Sequence, residues 1–222
     1  IYNHLPSDWK LLIEYKPYEP NFYSMVIPDW GTSYLLASEL GEKATTLVDL
    51  GHHLPNTNIE QIVSILMHFN KLGGFHFNDS KYGDDDLTVG SLRPYQLFLI
   101  FCELVNGEKE TSNSDLSWMI DASHNIKDPM EDLLQSVETI KIAYAKALLV
   151  DNNELKSAQQ KNDVAACQSI LQDAFRTDVR ALVNESCYRL GGALDPLNAF
   201  RKFKIRQKLI DQRGVDSKST GL

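Results

Sequence analysis

Four short apolar segments of the sequence each carry, at or near their ends, a residue that can bind a cation. They cover residues 10–16, 45–51, 73–78 and 117–123. Each has the length of a strand and is apolar at successive positions, as is typical of parallel strands whose two faces are both buried. The pattern therefore predicts four buried parallel strands.

Helical spacing of apolar residues fills the stretches between these strands. The first predicted helix covers roughly residues 23–42. The second begins at Thr57 and Glu60, which form a capping-box pattern, and we expect Gly73 to close it. A third, weaker helix is predicted over residues 94–105. The fourth is predicted to have Asp128 as its N-cap and Pro129 at its first helical position.

From about Asp151 onward no strand is predicted. One long helix is predicted over residues 163–190, and another begins after Asp195 and Pro196. The last helix is rich in basic residues, which usually form a solvated face, with contact to an acidic neighbour as the alternative. Residues 1–150 thus form a βα-alternating region, and residues 151–222 form a C-terminal helical extension.

The alternating order predicts an α/β fold with a parallel sheet, because crossovers between parallel strands are right-handed. Four βα units do not close a (β/α)8 barrel, which needs about 250 residues. The sequence leaves two interpretations: a four-stranded open sheet, or the C-terminal half of a barrel whose first four strands lie in residues before Ile1.

The composition indicates which kinds of partner and which cellular compartment to expect. The formal net charge is -8, with 22 basic and 30 acidic residues, which argues against a nucleic-acid or anionic-membrane partner. No apolar run approaches the ~20 residues of a membrane span, and no signal peptide is recognisable. Three widely spaced cysteines predict buried free thiols and a reducing compartment, which we expect to be the cytoplasm.

One ligand-type side chain belongs to each predicted strand. Glu14, Asp49, His76 and Asp121 lie at or near the carboxyl ends of the strands, where parallel α/β sheets gather their active sites. Buried carboxylates without a cation would repel one another and become neutral. Three carboxylates and one imidazole suit a divalent ion such as Mn²⁺.

A second group of candidate metal ligands is predicted to lie around the first. Asp49 and His52 are separated by a turn, and Asp84 and Asp86 alternate in a loop that is expected to be extended, with Asp85 facing elsewhere. Asp49 could then bridge two cations, a common catalytic arrangement. Lys16 shares a strand face with Glu14 and is a candidate donor to a substrate oxygen.

Each of these residues also has a structural interpretation. An aspartate at a strand end commonly caps a helix, a histidine near an apolar strand commonly belongs to the core, and an acidic loop is commonly solvated. The joint pattern over four strands favours metal binding. The remaining histidines are interpreted as structural: His4, His53, His68 and His124.

Long blocks of the sequence resemble a known family. The blocks IEYKPYEP, LVDLGHHLPNTNIE, GGFHFNDSKYGDDDL and MIDASHN closely resemble those of bacterial L-rhamnose isomerases, most of all the broad-specificity type. The resemblance covers essentially the whole chain. It implies the xylose-isomerase-like (β/α)8 barrel, with this chain as its C-terminal half. One departure is Ala122, where the family leads us to expect a polar residue.

The resemblance also implies roles for individual residues. A structural metal is bound by Glu14, Asp49, His76 and Asp121. A catalytic metal is bound by His52, Asp84 and Asp86, together with the bridging Asp49. The catalytic residues are Lys16, His52 and Asp84. The implied cofactors are two divalent cations per site, Mn²⁺ with Co²⁺ or Mg²⁺ as alternatives, and the implied assembly is a homotetramer.

The expected reaction is isomerisation of L-rhamnose to L-rhamnulose, with D-allose and D-psicose as further substrates, by a metal-assisted hydride shift. An enediol route is the mechanistic alternative. The competing functions are a ketose 3-epimerase, which generally uses one metal, another metal-dependent enzyme such as a phosphoesterase, and a sugar-binding barrel without catalytic activity.

Overall fold

Four parallel strands stand side by side in chain order in the computed structural model, which describes residues 1–17, 25–110, 115–122 and 127–214. The strands are β1 (Leu11–Glu14), β2 (Ala44–Asp49), β3 (Leu72–Phe77) and β4 (Ser117–Ile120). Each neighbouring pair is parallel. The predicted α/β class, four parallel strands with helices between them, is therefore confirmed.

Helices follow each strand. The first four are α1 (Trp30–Leu40), α2 (Ile59–His68), α3 (Pro94–Glu110) and α4 (Pro129–Leu148). The later ones are α5 (Asn152–Gln160), α6 (Val164–Arg176), α7 (Arg180–Arg189), α8 (Pro196–Lys202) and α9 (Ile205–Arg213), and a short 3-10 helix covers Tyr2–His4. Among the described residues, no helix is both long enough and apolar enough to cross a membrane.

The helices α1 to α4 pack on one face of the sheet. Side chains alternate along a strand, so Val48, Phe75 and Phe77 point into the core beneath these helices and are at most 1% exposed. Their chain neighbours Asp49 and His76 point to the opposite face. The apolar core therefore lies between sheet and helices, and the second face is left for polar chemistry.

A one-residue shift in the pairing of β2 with β3 determines which residues reach that face. Thr46 is paired with Leu72, but the next residue of β2, Leu47, is paired with Gly74, so Gly73 is the extra residue. A shift of one residue exchanges the two faces of a strand. Because of it, Asp49 is level with His76 rather than with Phe75.

The boundaries of α2 differ from the prediction at both ends. The N-cap is Asn58, whose side chain accepts a hydrogen bond from the Gln61 amide at 2.9 Å, so the prediction of Thr57 was wrong by one residue. The chain reverses at Asn70, which has φ 53°, and not at Gly73, which lies inside β3. An asparagine tolerates this left-handed conformation at low cost.

The predicted starting points of the next two helices are confirmed. The third helix begins at Pro94 as expected and extends beyond the predicted end to Glu110. Asp128 is the N-cap of α4 and accepts hydrogen bonds from the amides of Met130 and Glu131, with Pro129 opening the helix as expected.

The C-terminal helices are shorter than predicted. The expected helix over residues 163–190 is interrupted after Arg176, and α5 was not predicted at all. The last helix breaks at Lys204, which has φ 51°. Among the described residues after Ile120, no strand is found.

Two arginines of the basic segment have acidic partners, as the alternative interpretation proposed. Arg201 in α8 forms a bidentate ion pair with Glu131 at 2.6 and 2.8 Å. Arg206 in α9 pairs with Asp128. Both acidic residues belong to the N-terminal end of α4, so these pairs fasten the C-terminal helices to the βα-alternating region.

The three cysteines, Cys102, Cys167 and Cys187, carry free thiols as predicted, but they are half-buried rather than buried. Burial still raises the pKa of Cys102 to about 12.

Candidate functional site

The strands bring four predicted ligands together on the polar face of the sheet. Glu14 and Asp49 end β1 and β2, His76 is next to last in β3, and Asp121 follows β4. One ligand atom from each of the four lies within 4.8 Å of all the others. We call Glu14, Asp49, His76 and Asp121 the strand cluster.

A single ring nitrogen of His76 faces all three carboxylates of the strand cluster. His76 Nδ1 lies 3.0 Å from Glu14 Oε1, 3.5 Å from Asp49 Oδ2 and 3.5 Å from Asp121 Oδ2. Hydrogen bonds to Asp49 and then Glu14 raise the pKa of His76 to about 10. One proton cannot satisfy three carboxylates, whereas a divalent cation bound among these four groups could contact all of them.

Asp49 is completely buried at the centre of the site. Its Oδ1 accepts hydrogen bonds from the Gly51 amide at 2.8 Å and from Asn78 Nδ2 at 2.9 Å. Burial favours the neutral acid, but hydrogen bonds from His76 and the neighbouring charge of His52 outweigh it and lower the pKa of Asp49. Its Oδ2 lies 3.5 Å from His76 Nδ1 and accepts no hydrogen bond of good geometry from the described residues. An ionised and buried oxygen that shares His76 with two other carboxylates fits a cation ligand.

The remaining predicted ligands lie beside the strand cluster. His52 Nε2 is 2.9 Å from Asp84 Oδ1 and 4.0 Å from Asp49 Oδ1. Lys16 Nζ forms an ion pair with Asp84 Oδ2. We call His52, Asp84 and Asp86 the loop cluster, because turns and loops rather than strands carry all three.

The contact with the Tyr15 carbonyl orients the His52 ring so that its second nitrogen faces Asp84. Its Nδ1 lies 2.9 Å from the Tyr15 carbonyl oxygen, which accepts hydrogen bonds and cannot donate, so Nδ1 carries the proton. In a neutral ring, Nε2 then presents a lone pair to the Asp84 carboxylate. That contact is favourable when a proton or a cation lies on Nε2, and histidine ligands of metals are commonly oriented in this way by a backbone carbonyl.

The loop that carries Asp84 and Asp86 is not extended, contrary to the prediction. Both residues lie in the left-handed region, with φ of 30° and 48°. Asp85 faces elsewhere as expected: its Oδ2 accepts hydrogen bonds from Ser80 Oγ and from the amides of Lys81 and Tyr82, at 2.7 to 3.1 Å. The Asp85 carboxylate thus closes the loop while its two neighbours line the pocket.

Asp86 is partly buried and lies close to three other carboxylates. Burial first, then the charges of Asp84, Asp121 and Asp49, raise its pKa to about 6. Asn78 Nδ2 lies 3.4 Å from Asp86 Oδ1 and also donates to Asp49. The sequence analysis missed Asn78, although its position two residues after His76 places it on the same face of the chain.

The two clusters border an open pocket of about 500 Å³. Its polar side is formed by Glu14, Lys16, His52, Asp84, Asp86 and Asp121. Its apolar side is formed by Met25, Val26 and Ile27, in the segment between β1 and α1. The volume is suited to a small polar molecule with an apolar end.

All eight predicted site residues therefore lie around one point. Ala122 directly follows Asp121 and leaves the strand cluster in place. Of the histidines interpreted as structural, His53 is buried behind the site, and burial lowers its pKa to about 4. His4 and His68 belong to the 3-10 helix and the end of α2, and His124 lies outside the described residues.

Comparison with known proteins agrees with the enzyme class that the sequence predicts. No protein-family model matches the chain. The chain is 50% identical over 222 residues to a probable sugar isomerase of Mesorhizobium japonicum, a match that covers 100% of this chain and 52% of that protein. It is similar to probable sugar isomerases. A second such protein, from Rhizobium meliloti, is 50% identical over 214 residues, which is 96% of this chain and 50% of that protein.

The chain thus spans about half the length of the curated relatives it matches. Their names agree with the prediction of a sugar isomerase, and neither name specifies the sugar or a metal.

Proposed function

We propose that this chain forms the metal-binding half of a two-cation aldose–ketose isomerase that converts L-rhamnose to L-rhamnulose, with D-allose and D-psicose as further substrates. The observation that carries the proposal is the convergence of one ligand from each of four parallel strands. The similarity to probable sugar isomerases supports the isomerase class. The choice of sugar depends on the resemblance to L-rhamnose isomerases.

The proposed architecture is a (β/α)8 barrel to which residues 1–150 contribute four βα units, with residues 151–222 as an extension. The strands are ordered as in the chain and α1 to α4 cover one face, whereas doubly wound sheets have helices on both faces. Among the described residues, β1 and β4 each have one edge without a neighbouring strand. The proposal requires four further strands, and we expect the whole enzyme to be a homotetramer.

The strand cluster would hold one divalent cation, and the loop cluster with Asp49 would hold the second. The oxygen-rich ligands favour Mn²⁺, with Co²⁺ or Mg²⁺ as alternatives. When bound, such cations polarise a carbonyl group and make a nearby hydroxyl group more acidic.

The side chains of this chain would bind and orient the open-chain sugar. Lys16 is largely buried, with 18% of its side chain exposed, at the polar side of the pocket. Its ammonium group would donate a hydrogen bond to the sugar oxygen O1 and stabilise the negative charge that develops there as a hydride moves from C2 to C1. The O2 hydroxyl group loses its proton in this step, and O1 gains a proton to complete the product. The wall formed by Met25, Val26 and Ile27 would contact the apolar end of a 6-deoxy sugar and exclude water.

The decisive experiment is an assay of the purified full-length protein that contains this chain, after removal and re-addition of Mn²⁺, against a panel of aldoses and ketoses. We expect isomerisation of L-rhamnose and its loss in Glu14→Gln. The matched control is Glu39→Gln, an exposed glutamate of α1 that should retain full activity. Turnover of no sugar in the panel, or equal activity of the two variants, would contradict the proposal.

Two further measurements separate the rival chemistries. Two cations per site are expected, and a count of one would favour a ketose 3-epimerase. Deuterium placed at C2 should be found at C1 of the product for a hydride shift, whereas exchange with solvent would indicate an enediol.

A further inference from the structure

A buried polar pair lies next to the site, and one of its members, Tyr15, also lines the pocket. The Tyr15 hydroxyl oxygen and His53 Nε2 share a hydrogen bond of 2.7 Å, and the two rings meet edge to face at 5.3 Å. Tyr15 is 2% exposed and His53 is 9% exposed. Neither residue belongs to the strand cluster or to the loop cluster.

The pair connects two segments that carry three of the seven proposed ligands, Glu14, Asp49 and His52. Tyr15 stands between Glu14 and Lys16 at the end of β1, and His53 directly follows His52 in the turn after β2. The Tyr15 carbonyl oxygen is also the acceptor for His52 Nδ1, at 2.9 Å. The two segments are therefore joined by two neighbouring hydrogen bonds, one to a backbone carbonyl and one between buried side chains.

We propose that Tyr15 and His53 form a positioning pair, which fixes the end of β1 against the turn after β2 and thereby directs His52 Nε2 at the cation site. The inference rests on the proposed function, because it assigns the pair a role in binding the second cation. A shift of the β1 backbone at Tyr15 would move the carbonyl that orients the His52 ring, and the position of Nε2 would change with it.

Stability alone does not explain a polar pair at this place. Two apolar side chains of similar shape can replace a buried hydrogen-bonded pair at little cost in stability. The backbone of Leu50 and Asp49 lies close to the other side of the His53 ring, but no hydrogen bond of good geometry to Nδ1 is found among the described residues. A polar pair at a place where apolar side chains would serve stability equally well is consistent with a geometric requirement of the neighbouring ligands. Hydrogen-bond partners of metal ligands commonly have this effect.

Three single variants test the pair in the purified protein. Tyr15→Phe removes one oxygen atom, and His53→Leu removes the ring nitrogen from the other side. His53→Gln is the conservative variant, because a glutamine amide nitrogen or oxygen can reach the place of Nε2. The double variant Tyr15→Phe/His53→Leu replaces both partners by apolar groups. The measurements are Mn²⁺ affinity from free Mn²⁺ in a titration, kcat and KM, and the midpoint of thermal unfolding without cation.

We expect Tyr15→Phe and His53→Leu each to weaken the binding of one Mn²⁺ about tenfold and to lower kcat more than they raise KM. His53→Gln should retain near-normal affinity. The double variant should regain thermal stability without regaining affinity, which a merely structural role would not produce.

Unchanged Mn²⁺ affinity in Tyr15→Phe and His53→Leu, with a lower unfolding midpoint, would overturn the positioning role and leave the proposed function intact. Recovery of affinity together with stability in the double variant would do the same. If the unaltered protein binds no Mn²⁺, the proposed function fails first and the inference fails with it.

Discussion

The strand cluster and the loop cluster share one pocket but are held by different means. Glu14, Asp49 and His76 are parts of hydrogen-bonded strands, so the pairing of the sheet determines where they lie. Asp84 and Asp86 have positive φ in a loop that is closed by a few hydrogen bonds to Asp85. Changes to the pairing of the strands should therefore displace the strand cluster, whereas changes within the loop should affect only the loop cluster.

The largest effect on stability is expected from Gly74→Ala, which adds a methyl group between β3 and β4. A Cβ atom on Gly74 would lie 2.4 Å from the backbone oxygen of Ser117 and would push β4 away. We expect Gly74→Ala to lower the free energy of unfolding by ~3 kcal/mol and to abolish cation binding, because β4 leads to Asp121. Urea denaturation and a Mn²⁺ titration measure the two effects.

Gly73→Ala is the matched control for this prediction. Its Cβ would meet the side chains of Thr45 and Leu12, at 2.1 and 2.5 Å. Side chains can move aside more easily than a backbone, so the loss should be smaller, ~1 kcal/mol. If Gly74→Ala and Gly73→Ala lowered the free energy of unfolding equally, close contact with the β4 backbone would not be what holds the strand cluster in place.

The second prediction removes a ligand and leaves the sheet intact. His76→Asn deletes the nitrogen that faces three carboxylates, and we expect the affinity of one Mn²⁺ to fall by about 100-fold or more. Far-UV circular dichroism should be unchanged. His68→Asn is the control, because His68 is exposed at the end of α2. Equal Mn²⁺ affinity in both variants would mean that the strand cluster holds no cation.

The third prediction concerns the loop cluster. Asp85→Asn weakens the acceptor of three hydrogen bonds and should lower the affinity of one Mn²⁺ about tenfold while the other Mn²⁺ binds normally. Asp115→Asn provides a control at an exposed aspartate that pairs with Lys10. A loss of both cations in Asp85→Asn would erase the distinction between the two clusters.

The same distinction explains what the sequence could predict. The strands and their four ligands were predictable because apolar runs end in a ligand-type residue and parallel strands align their ends. The helix boundaries at Asn58 and Asn70, and the left-handed residues Asp84 and Asp86, were not predictable from spacing. The conformation of Asp84 and Asp86 depends on contacts of the loop with Gly51, which is distant in sequence, and with Asn78. The role of Gly73 was missed because a pairing shift is a property of two strands and cannot be seen in one.

The smallest expected effect lies outside both clusters. Arg201→Gln removes a bidentate ion pair with Glu131, and the arginine side chain is 61% exposed. Exposed ion pairs contribute little to stability, and salt screens them. The unfolding midpoint should therefore fall slightly at low salt and match that of the unaltered protein at ~1 M salt, where the Debye length is about 3 Å. Both Mn²⁺ affinities should stay unchanged. A change in either affinity would mean that the C-terminal helices also position the site through α4, so that strand pairing and loop contacts would not be its sole supports.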